Sequence, residues 1–140
     1  MALIAWDDKY ALGIDMVDKH HRHLFEILNT TYDEFIANAP PENLGAVLHE
    51  LINYATYHFY TEERIMSDNS YPGFTEHKSD HDNFVHKIIS IQKGFHKGNM
   101  SLTLETITFL KSWITQHILD RDMLLGEFMR EKQAGASCTG

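Results

Sequence analysis

PENLGAVLHELINYATYHFYTEERIM, residues 41–66, holds the pattern that decides the fold. Leu44, Val47, Leu48, Leu51, Ala55 and Ile65 recur at the intervals of a single helix face, and Pro41 suits a first helical position. His58 and Glu62, four residues apart, sit in the middle of that apolar face, whereas His49 and Glu63 fall outside it. The segment therefore predicts a helix that buries its stripe against partners while carrying two polar groups inside the stripe.

The flanking sequence repeats the pattern. Helix-breaking chemistry at Asn38-Ala39-Pro40-Pro41, at 67–73 (Ser-Asp-Asn-Ser-Tyr-Pro-Gly) and at 97–101 (Lys-Gly-Asn-Met-Ser) separates four stretches of helical period, 17–37, 41–66, 74–96 and 102–132. Asp15 or Asp18 is the expected cap of the first. Four amphipathic helices joined by short loops predict an all-α, up-down antiparallel four-helix bundle spanning 17–132. Residues 1–16 form an N-terminal arm with Trp6 and Tyr10 free to pack, and 133–140 form a small, polar, flexible tail.

Composition limits the functional classes. Twelve Lys+Arg against twenty Asp+Glu give a net charge of −8, which opposes nucleic-acid binding because no positive charge is concentrated for phosphate. The absence of a long apolar run argues against membrane insertion. An acidic start without a basic n-region argues against a signal peptide, and the single cysteine, Cys138, excludes an internal disulfide; a cytoplasmic location is expected.

Ten histidines in 140 residues are the unusual feature. On a helical wheel His21 falls at ~300°, within the Val17, Leu24, Phe25, Leu28, Tyr32 and Phe35 stripe at ~285°; His20 (~200°) and His23 (~140°) fall off it. His77 and His81 lie at the centre of the third stripe, set by Phe74, Phe84, Val85, Ile88 and Phe95. His117 lies in the fourth, set by Leu110, Trp113, Ile114 and Leu124. Each buried polar group left unpaired would cost about 1–3 kcal/mol, and a buried Glu62 carboxylate more, so a metal is the economical common partner. Counted from one bundle end, His21, His58, Glu62, His77, His81 and His117 are each about 15–21 residues along, at one level roughly 25–30 Å up. Five imidazoles exceed the needs of a tetrahedral zinc and suit two metals better than one; iron, manganese, copper and zinc all remain open on ligand chemistry. No Glu-x-x-His occurs, which disfavours a carboxylate-rich oxidase.

His58-Phe59-Tyr60-Thr61-Glu62-Glu63, Tyr71-Pro72 followed by His77-Lys78-Ser79-Asp80-His81, Trp113-x-x-x-His117-Ile118-x-x-x-Asp122 and the upstream Trp6, Gly13 and Asp18-x-x-His21-x-x-Leu24 resemble the hemerythrin family over nearly the whole chain. The resemblance implies two Fe ions in a non-haem di-iron centre. His77, His81 and His117 would ligate one iron and His21 and His58 the other, with Glu62, Asp122 and an oxo or hydroxo group bridging. Dioxygen would bind at the open position of the iron with two histidines, with Leu24 and Trp113 excluding water. Helical spacing alone would choose Asp120, ~60° from His117, over Asp122, ~140° away. The family pattern chooses Asp122, and a local π-bulge would bring it inward.

The implied function is reversible dioxygen carriage, storage or delivery to an oxygen-consuming partner protein, without catalysis. The alternative is an oxygen or redox sensor, or an enzyme reducing O2, peroxide or nitric oxide; a bundle filling the chain leaves no output module, which favours a carrier. His20, His23, His49, His86 and His96 are expected in solvent and Glu63 at the surface. Met66, Met123 and Met129 are expected as core filler, and Cys138 as a bystander. No helix shows an exposed apolar stripe, so a monomer is expected.

Overall fold

A computed structural model gives the fold and describes residues 3–38, 41–96 and 104–139. The break at 97–101 and the side chains of Leu44, Phe95, His96 and Cys138, about which the sequence raises expectations, lie outside the described residues. Helix α1 spans Asp15–Ile36, α2 Pro41–Asp68, α3 Phe74–His96 and α4 Leu104–His117. A π-helical segment, Ile118–Asp122, joins α4 to α5, Met123–Thr139. Among the described residues there is no strand, and α4, the π segment and α5 act as the fourth helix of an all-α bundle. Helix α1 packs on α2, α2 on α3, and α4 closes the bundle against α1.

The apolar stripes supply the core: Val17, Leu24, Phe25 and Leu28 of α1, Leu48, Leu51 and Ala55 of α2, Phe84 and Ile88 of α3, and Leu110 and Ile114 of α4 are buried. The fourth stripe departs from expectation after the π segment. Leu124 is 51% exposed and Leu125 is fully buried, because the wider π turn inserts a residue and rotates the following helix by about one position. The α5 backbone continues to Thr139, past Lys132, where the sequence pattern ends the bundle.

Neither expected aspartate caps α1; Ile14 occupies that position without a side-chain bond. Asp18 instead accepts from the backbone N–H groups of Leu12 and Gly13 at 2.8 and 3.2 Å, fastening the arm to α1. Arg130 of α5 donates to the Leu12 carbonyl. Gly126 permits this crossing, since a Cβ there would stand 3.0 Å from the Leu12 carbonyl oxygen. Trp6 and Tyr10 pack on Phe25 at ring distances of 5.6 and 5.1 Å, so the arm seals one flank of the bundle. No described helix is long and apolar enough to cross a membrane.

Candidate metal centre

The bundle core contains a polar pocket, set toward the end where α2 turns into α3. His21 comes from α1, His58 and Glu62 from α2, His77 and His81 from α3, His117 from the end of α4 and Asp122 from the π segment; all seven are buried. The i,i+4 pairs put two donors from one helix on one face, and the four helices bring their faces together. Their donor atoms fall into two groups, each with all atoms within 4.8 Å of one another: His77, His81, His117, Glu62 and Asp122; and His21, His58, Glu62 and Asp122. Asp122 rather than Asp120 turns inward. The π segment reorients Asp122 into the core, while Asp120 stays exposed and accepts from Gln116 at 3.0 Å.

Each carboxylate addresses both groups. Glu62 Oε1 lies 3.1 Å from His81 Nε2 and 3.6 Å from His77 Nε2; Glu62 Oε2 lies 3.6 Å from His58 Nε2 and 3.8 Å from His21 Nε2. Asp122 Oδ1 lies 2.9 Å from His77 Nε2 and 3.2 Å from His117 Nε2, and Oδ2 lies 2.9 Å from His21 Nε2. The Nε2 atoms of His77 and His81 also stand 3.1 and 3.0 Å from His117 Nε2. Yet both oxygens of Glu62 and of Asp122, and Nε2 of His21 and His58, have no aligned hydrogen bond. Buried acceptors that converge without bonding one another leave a demand for positive charge between them.

Protons meet that demand in part. Burial pushes the His77 imidazole down, but the Asp122 and Glu62 carboxylates beside it outweigh burial and raise it to about 9. His21 is raised in the same contest between burial and Asp122. His58, whose burial is not offset, falls to about 3. Burial and the Asp122 charge push Glu62 up, yet the surrounding imidazoles carry it down to about 2. Divalent cations could replace the protons and use every donor at once.

Aromatic rings wall the three-histidine group. Phe59 stacks on His81 with ring centroids 4.0 Å apart, Trp113 on His117 at 4.6 Å, and Phe84 backs Trp113 at 4.0 Å. Leu24, Ile114 and Ile118 are also buried in the core.

Two neighbours escape sequence reasoning. His20, expected in solvent, is buried: α2 covers that flank of α1, and His20 Nδ1 lies 2.9 Å from His58 Nδ1. Glu63, expected at the surface, is only 19% exposed and accepts from His81 Nδ1–H at 2.9 Å. His49 and His86 are exposed, and His23 is half-exposed beside Glu26 at 3.4 Å.

The chain is thus a four-helix bundle built around a histidine–carboxylate pocket with room in its donor set for two cations. The profile of the family described as Hemerythrin HHE cation binding domain matches residues 12–128, and the chain belongs to that family. It is 32% identical over 127 residues to a bacteriohemerythrin of Methylococcus capsulatus, covering 90% of this chain and 96% of that protein. It is 34% identical over 125 residues to a bacteriohemerythrin of Clostridium acetobutylicum, covering 86% and 96%. A crystal structure of wild-type hemerythrin aligns with a TM-score of 0.86 at 31% identity, covering 90% of this chain and 97% of that one.

Proposed function

We propose that this chain binds dioxygen reversibly at a non-haem di-iron centre and serves in its carriage, storage or delivery. His77, His81 and His117 would hold one iron, His21 and His58 the other, with Glu62 and Asp122 spanning the two. The observation that carries this reading is the division of each buried carboxylate, one oxygen toward each histidine group, with no aligned hydrogen bond on any of the four oxygens. Imidazole and carboxylate donors without thiolate fit iron. When bound, the two irons supply the electrons that dioxygen takes up and returns.

The protein residues set the conditions for reversal. Glu63 keeps the His81 proton on Nδ1, leaving Nε2 as a lone-pair donor. Phe59, Trp113 and the aliphatic core exclude water from the pocket, which slows proton-assisted loss of a bound ligand. The two-histidine group offers one imidazole fewer, and a ligand would bind on that side.

The test is a visible spectrum of the iron-loaded, anaerobically reduced protein, taken before oxygen, in oxygen and after oxygen is withdrawn. A band that appears with oxygen and vanishes on its removal is expected. A stable oxidised spectrum would mark a sensor or oxidase, and no band with iron bound would reject the open site.

A further inference from the structure

His20 and His58 meet Nδ1 to Nδ1 at 2.9 Å, both buried. Two imidazole nitrogens at that distance share one proton, so one ring donates and the other accepts. The remaining nitrogen of His58, Nε2, faces the pocket with no hydrogen-bond partner, and its neighbour Glu62 Oε2 stands 3.6 Å away. A cation at Nε2 needs the lone pair there, which puts the His58 proton on Nδ1 and makes His20 Nδ1 its acceptor. The Tyr54 ring, nearly perpendicular to His20, and the tilted Tyr57 ring, with centroids 5.7 and 5.2 Å from it, hold the acceptor in place.

We infer that His20 is a positioning residue for the two-histidine half of the centre, acting through His58 by fixing the orientation and tautomer of its ring. On the other half the same task falls to Glu63 behind His81. A ring that accepts through Nδ1 is uncharged, whereas Glu63 offers a carboxylate, and an anionic acceptor makes the ring it backs the more basic donor. The two halves therefore differ in the charge standing behind them as well as in histidine number. The consequence for metal rests on the reading of the pocket given above; the hydrogen bond itself does not.

The experiment uses the full-length nitrogen-15-labelled chain, with Zn2+ alone as the metal probe. Wild-type protein should show a nitrogen–nitrogen coupling across the hydrogen bond between the two Nδ1 atoms. His20→Phe, which keeps a ring between Tyr54 and Tyr57, should weaken one of two zinc-binding steps by about 10–100-fold and leave the other unchanged. His20→Gln, which restores an acceptor, should recover most of that loss. The inference is overturned if the wild-type coupling is absent, if His20→Phe leaves both steps unchanged or weakens both alike, or if His20→Gln binds as poorly as His20→Phe. A wild-type chain that shows the coupling but takes up no zinc rejects the metal reading and the positioning role, leaving only the hydrogen-bonded pair.

Discussion

The two halves of the pocket share Glu62 and Asp122 and differ in nearly everything else. The three-histidine half is backed by stacked aromatic rings and by the Glu63 carboxylate. The two-histidine half is backed by His20 and by Tyr54 and Tyr57, the latter 56% exposed. One half is donor-rich and backed by an anion; the other is donor-poor and backed by an imidazole. A binding site for a small ligand would gain from that division, since a metal held by three histidines would anchor the cluster while a neighbour held by two would keep a free position.

The largest effect should follow from removing what the halves share. Asp122→Ala takes an oxygen from both groups and should reduce iron per chain from two towards none, whereas His117→Ala should leave the two-histidine half able to hold one. Metal analysis of the purified proteins separates the outcomes, and equal loss in the two variants would break the comparison.

Next comes the register that brings Asp122 inward. Leu125→Ala should destabilise by about 2–5 kcal/mol and Leu124→Ala by less than about 0.5 kcal/mol, measured by denaturant unfolding. Reversed values would show an unbroken α-helix through Ile118–Asp122, and Asp120 would then be the acidic residue facing the core.

The pH dependence of the metal-free chain follows its raised histidines, His21 among them. His77 in the three-histidine half is raised to about 9, so the stability from its proton is complete below about 6.5 and lost as pH rises through 9. That amounts to about 3 kcal/mol. His58, held neutral, contributes no such loss in this window. Thermal unfolding from pH 6 to 10 should therefore show a falling Tm for the metal-free chain and a much flatter curve once iron is loaded. A flat metal-free curve would contradict the charge pairing of His77 with Asp122 and Glu62.

The smallest effect sharpens the contrast in outer partners. Glu63→Gln keeps an acceptor for His81 but removes its charge, and should weaken the three-histidine half about 10-fold while sparing the other. Stepwise metal titration distinguishes this from a uniform loss.

Much of this was legible before the structure. The helices and their buried faces follow from apolar period, and His21, His58, Glu62, His77, His81 and His117 stand out because they interrupt those faces at one height. Asp122 does not stand out, since an ideal helix places it ~140° from His117; only the π turn, or a family pattern, selects it. The same turn exchanges Leu124 for Leu125 in the core. His20 and Glu63 fall off their stripes on the wheel; their burial depends on how far the adjoining helix overlaps, and a single-helix wheel holds no such information.

The most direct measurement is anomalous diffraction at the iron edge from crystals of the iron-loaded protein. Two peaks per chain are expected, one among His77, His81 and His117 and one beside His21 and His58, with the Glu62 and Asp122 carboxylates between them. A single peak, or iron bound only outside this pocket, would contradict the account.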